Sequence, residues 1–142
     1  MSREESLRRL NELFAEEIEA GIRYLLLAVT VRGLERITVQ SILLDNMKET
    51  LDHAQQVAEK ILQLGGNPSL DLRLSLPPEK PTGVDAVRTA LIFEQAALDA
   101  YRELLEKVSR DGDDDVVLEE FLRAQVALES EHVAGLELLL EE

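Results

Sequence analysis

The sequence of 142 residues contains no cysteine. That absence excludes disulfides, thiolate metal sites and cysteine nucleophiles at once. Aromatic residues are scarce, at 4% with no tryptophan, although 45% of the chain is apolar. Leu, Ala and Glu make up much of the rest, a balance that suits packed helices better than a sheet. Basic residues are outnumbered, 15 Lys and Arg against 29 Asp and Glu, for a formal net charge of −14. Such a surface argues against nucleic-acid binding, because a phosphate backbone needs a basic face. The acidity would draw cations in, although a solvated Glu-rich surface is source enough for most of it. There is no basic start followed by an apolar run and no apolar stretch able to span a bilayer. The expectation is a cytosolic protein without membrane contact.

Only four prolines occur, Pro68, Pro77, Pro78 and Pro81, and all lie in one stretch. On either side of it the apolar residues step by three and four, the period of a helix face. The first helix is predicted to start after Ser2, where Ser2 and Glu5 form a capping-box pattern. Its stripe is Leu7, Leu10, Phe14, Glu17, Gly21, Tyr24, Ala28 and Val31, with Gly33 as a stop. The second runs from about Glu35 to Leu64, with Val39, Leu43, Asn46, Thr50, His53, Val57, Ile61 and Leu64 on its stripe. The third starts near Thr82, Asp85 being its capping partner, and carries Val87, Leu91, Glu94, Leu98, Tyr101, Leu105 and Val108. The fourth follows the Asp113–Asp114–Asp115 run, which suits a helix N-terminus and lacks the spacing of a calcium loop. It carries Leu118, Phe121, Leu122, Gln125, Glu129, His132, Leu136 and Leu139.

The proline-bearing stretch, 65–82, is too long for a helix hairpin. Extended at roughly 3.3 Å per residue, it can run the length of a helix of about 28 residues. It would then make the second and third helices parallel. Leu70, Leu72, Leu74 and Leu76 alternate along it, so one side is expected to lie against the helices. The length fits one domain, 1–142, with a real core.

The stripes are interrupted by ionisable groups. Glu17 lies near the middle of the first helix, Thr50 and His53 near that of the second, Glu94 near that of the third, and Glu129 and His132 near that of the fourth. Midpoints of helices of equal length meet at one level of a bundle. The chain has only two histidines, and both fall at this level on inward faces. Glu129 and His132, three apart, share a face. An unpaired carboxylate in an apolar core costs several kcal/mol, which a metal ion offsets. Carboxylates and imidazoles without thiolates select iron, manganese or zinc, and an anionic cage favours iron or manganese that changes oxidation state.

On these residues the chain resembles the ferritin-like di-iron carboxylate proteins, and within them bacterioferritin. The family pattern is one Glu from each of two helices and a Glu-x-x-His from each of the other two. The segment Leu10 to Glu17, followed by Tyr24, is similar to the bacterioferritin first helix. The run Glu59 to Pro68 is similar to the end of its second helix and the start of its crossover. The resemblance implies an all-α, ferritin-like four-helix bundle with one long crossover between the second and third helices. It further implies a ferroxidase, an enzyme that oxidises ferrous iron with dioxygen or peroxide. Glu17, His53, Glu94, Glu129 and His132 would hold the metal, His53 and His132 on one ion each, with Glu94 or Glu129 bridging. Tyr24 and Tyr101, each seven residues after a ligand, are either core packing or hydrogen-bonding partners and electron donors for it. Gln125 is expected beside Glu129.

The second helix departs from the pattern, because Thr50 stands where the bridging Glu belongs. Two divalent ions carry four positive charges, while Glu17, Glu94 and Glu129 supply three negative ones. A hydroxide or a single ion would close the gap. Glu49, about 100° around the helix from Thr50, is expected at the solvated surface, the alternative being a displaced ligand. Leu51 occupies the position of the haem-binding methionine of bacterioferritins, so no haem is expected. No fifth helix is expected after His132, so a large storage cage is not expected either. A homodimer or larger homo-oligomer remains open, with Leu25, Leu26, Ile42 and Leu44 as candidate contacts. Alternatives to the ferroxidase are a family member binding one ion without turnover, a metal-free interaction bundle, and a hydroxylase or manganese catalase on the same fold.

Overall fold

The computed structural model describes residues 2–74, 79–110 and 115–141. They form four helices: α1 (Arg3–Thr30), α2 (Arg36–Gln63), α3 (Gly83–Arg110) and α4 (Val116–Leu139). Ser2 and Glu5 close a capping box at the start of α1, the Ser2 hydroxyl accepting from the Glu5 amide at 3.1 Å. Thr82 caps α3 by accepting from the Asp85 amide at 3.2 Å, and Asp115 caps α4 by accepting from the Leu118 amide at 3.0 Å. These bonds satisfy donors that no helical carbonyl reaches. The expected breaks therefore hold to within a residue or two; Asp111 to Asp114 lie outside the described residues, as does any reading of them as a calcium loop.

The turn between α1 and α2 is a tight one. Gly33 adopts φ +103°, a region that side-chain-bearing residues avoid. Arg36 donates to the carbonyls of Val29 and Val31, and Gln40 to that of Ala28, which covers the exposed carbonyl end of α1. Further along, Gly21 lets the two helices approach closely, because a Cβ there would sit 2.8 Å from the Leu51 side chain.

The crossover runs alongside α1 in the same direction. Asn11 bonds the Asn67 carbonyl and the Ser69 amide, Glu19 accepts from the Arg73 amide, and the Arg32 amide donates to the Pro81 carbonyl at 2.9 Å. Helix α3 thus begins at the far end of the bundle from the end of α2, and the two helices are parallel. Leu70, Leu72 and Leu74 do not lie against the bundle as expected. They are 55%, 40% and 38% exposed, because the polar backbone contacts to α1 turn these side chains outward. Leu76 lies outside the described residues. Leu139, expected on the buried stripe, is also exposed, at the last turn of α4.

Two apolar clusters fill the bundle. One joins Leu10, Leu13, Val57, Ile61, Tyr101, Leu104, Leu118 and Leu122, the other Tyr24, Leu27, Val31, Leu43, Ala90 and Leu136. Between them lies a buried polar layer of Glu17, Thr50, His53, Glu94 and Glu129. Each full burial of a Leu or Ile contributes about 1.5–3 kcal/mol, and the polar layer works against that sum. Among the described residues no helix is long and apolar enough to cross a membrane.

Candidate metal centre

Each helix brings its midpoint to this layer. Glu17 comes from α1, His53 from α2, Glu94 from α3, and Glu129 and His132 from α4, all buried except His132, which is partly exposed. The tyrosines tie the layer together crosswise. Tyr24 of α1 donates to Glu94 Oε1 of α3 at 2.6 Å, and Tyr101 of α3 donates to Glu17 Oε1 of α1 at 3.2 Å. Both hydroxyls are needed, because a buried phenol or carboxylate without a partner costs about 1–3 kcal/mol. Each bond also orients its carboxylate.

Two triads result. Glu17, His53 and Glu129 bring one ligand atom each to within 4.8 Å of one another, and so do Glu94, Glu129 and His132. Glu129 belongs to both. His53 Nδ1 lies 3.0 Å from Glu129 Oε1 and 3.9 Å from Glu17 Oε2, while His132 Nδ1 lies 3.4 Å from Glu94 Oε1. The two imidazoles stack with centroids 5.3 Å apart. Among the described residues Glu17 Oε2, Glu129 Oε2 and His132 Nδ1 are buried without a hydrogen-bond partner. Buried polar atoms are rarely left so, and here they converge on one place. A cation bound by both carboxylates and imidazoles would satisfy them, so the donor set fits a metal.

A family model for the ferritin-like domain matches residues 7–142. The chain belongs to the ferritin-like family. A ferritin-like diiron-carboxylate protein from Bacillus anthracis superposes at TM-score 0.85, with 28% identity over 99% of this chain and 100% of that one. The fold is shared with a dodecameric, bacterioferritin-related thioferritin from Bacteroides fragilis, at TM-score 0.85 and 24% identity over 96% of this chain and 84% of that one. A Dps protein from Bacillus brevis superposes at TM-score 0.87, with 18% identity over 99% of this chain and 100% of that one. No curated protein sequence matches the chain.

Within this layer of the ferritin-like chain, burial and neighbouring charges shift the ionisation of each group. Burial, then the Glu129 charge, push the Glu17 carboxyl well above the usual range. Burial and the neighbouring Glu94 carboxylate push Glu129 up likewise. Burial also acts on Glu94, but its contacts with His132, Glu129 and Tyr24 outweigh it and hold the carboxylate ionised. Burial would lower His132, yet Glu94 and Glu49 together lift it to about 9. His53 is lowered, chiefly by burial. Both tyrosines are raised by burial and by the carboxylates they serve, and stay protonated as donors.

The remaining expected residues fall as follows. Thr50 is buried with its hydroxyl unpartnered among the described residues, and it carries no charge. Glu49 is at the solvated edge as expected, but its carboxylate also contacts His132 Nε2. It belongs to neither triad. Gln125 makes no hydrogen bond to Glu129 among the described residues; its amide donates across to Gln56 Oε1 of α2 at 2.7 Å. Glu49, Asp52, Gln56 and Glu131 line a cavity of about 240 Å³ that also touches both histidines. This acidic mouth between α2 and α4 was not legible in the sequence, because it depends on how far apart the two helices stand.

Proposed function

We propose that this chain binds iron at two adjoining positions within the bundle and oxidises it from the ferrous state, using dioxygen or peroxide. The sharing of Glu129 between two Glu/His triads, with their unpartnered atoms turned inward, carries the reading. The likeness to a protein described as diiron-carboxylate supports it. Glu17 and His53 would hold one ion, Glu94 and His132 the other, and Glu129 both. Tyr24 and Tyr101 each hold one oxygen of an outer carboxylate, and Glu17 Oε2 is left without a hydrogen-bond partner among the described residues. The anionic set favours the ferric product over the ferrous substrate, because the higher charge gains more from the same carboxylates. Two ferrous ions give up two electrons, enough to take dioxygen to peroxide, or peroxide and two protons to two waters.

Thr50 favours one second reading, a single ion held for stability or sequestration without turnover. Manganese and zinc suit the same donors, and no haem is part of either reading. Adding ferrous iron to metal-free protein in air, and following ferric absorbance alongside elemental analysis, separates the two. Two irons per chain and a rate above buffer are expected. One metal without oxidation selects the second reading, and no bound metal removes both, leaving a structural or interaction bundle.

We also infer a cytosolic homo-oligomer, a dimer or larger. The exposed Leu70, Leu72 and Leu74 of the crossover and the half-exposed Leu25 of α1 support an assembly. Leu26, Ile42 and Leu44 are already partly covered within the chain.

A further inference from the structure

We propose that Glu49 is a positioning residue for His132: its carboxylate accepts the Nε2–H across the α2–α4 mouth and so aims Nδ1 at the place where an ion would sit between it and the Glu94 and Glu129 carboxylates. The inference rests on the metal reading above and gives Glu49 a role through the imidazole, not on the ion.

Three observations carry it. Glu49 Oε2 hydrogen-bonds His132 Nε2, although its own oxygens fall outside both triads. Nδ1 of the same ring is buried without a hydrogen-bond partner among the described residues, 3.4 Å from Glu94 Oε1. Among those residues no carboxylate hydrogen-bonds Nε2 of His53, whose Nδ1 alone engages Glu129. The rings are stacked and similarly placed, yet only His132 is held from outside.

A neutral imidazole carries its proton on one nitrogen and its lone pair on the other. An acceptor on Nε2 settles which is which, stops the ring from turning, and makes Nδ1 a stronger donor. Carboxylates in this position typically change metal affinity by about 10–100-fold. The placement also bears on charge. Thr50 contributes none, and Glu49, one residue earlier on α2, returns a negative charge beside the His132 triad without joining it. Together with Glu17, Glu94 and Glu129 it brings the count to the four that two divalent ions require. The two halves of the centre are then unequal, the His132 half binding more tightly.

Cobalt(II) titration of the metal-free, full-length protein, followed by its visible absorption, tests this. Wild type is expected to bind in two steps. Glu49→Gln should weaken the tighter step by about 10–100-fold, leave the weaker one unchanged and keep the band positions, because no ligand is lost. Glu49→Asp should recover part of the affinity, and His132→Ala should abolish the same step. Glu49 is more than half exposed, so the two Glu49 changes leave the core intact. Unaltered affinity in Glu49→Gln overturns the inference alone. So does a shift of the bands with loss of one equivalent, which would make Glu49 a ligand. Wild-type protein that takes up no cobalt overturns the metal reading and this inference together.

Discussion

Replacing Glu129 by Gln should move stability and metal binding in opposite directions. In the metal-free protein the Glu129 carboxyl is buried and its pKa is raised, so it stays protonated in the folded state while the unfolded chain ionises. A folded pKa above the unfolded one gives stability that is present at low pH and lost as pH rises toward the folded value. With an unfolded pKa of about 4.3 and about 1.4 kcal/mol per pH unit, the loss reaches about 1 kcal/mol at pH 5 and about 4 kcal/mol at pH 7.5. Gln has nearly the same volume, offers an oxygen to His53 Nδ1 and never ionises. E129Q should therefore equal wild type near pH 4.5 and exceed it increasingly toward pH 7.5, with about 4 kcal/mol as the upper bound. Urea denaturation in chelator at several pH values measures the difference. With iron or cobalt present the order should reverse, because both triads lose their shared anionic ligand. A difference that stays flat with pH, or an E129Q protein less stable at pH 7.5 without metal, would refute the reasoning.

Thr50→Glu adds a fourth buried carboxylate and should cost the metal-free protein about 2–4 kcal/mol at pH 7.5 by the same arithmetic. It should tighten the weaker metal step, which a cobalt titration reads directly. Tyr24→Phe removes the 2.6 Å bond to Glu94. It should lower stability by about 1–3 kcal/mol and slow ferrous oxidation without abolishing metal uptake, checked by denaturation and stopped-flow absorbance. Leu43→Ala opens a cavity in the cluster it shares with Tyr24, Leu27 and Leu136, where Leu43 is fully buried, and should cost about 2–5 kcal/mol while leaving the metal count unchanged. Leu70→Lys with Leu74→Lys should shift the assembly toward smaller species in light scattering, with the helical signal retained.

Much of the architecture was present in the sequence by itself. Spacing along a helix sets which way each side chain points, and a stripe of apolar residues declares which way is inward. Glu17, His53, Glu94 and Glu129 could be placed in the core on that ground alone, and the length and prolines of 65–82 were enough for a crossover. Set against the family pattern the chain resembles, Thr50 marked the missing charge.

Tertiary structure decided what depends on distances between helices. The sharing of Glu129 by two triads, the crossed pairs Tyr24–Glu94 and Tyr101–Glu17, and the reach of Glu49 to His132 join residues far apart in the chain. No period along one helix encodes the gap to its neighbour. For the same reason Gln125 turned to Gln56, and the crossover leucines turned to solvent once the backbone had found its partners on α1. Direction is a local property of the chain; proximity belongs to the packed bundle.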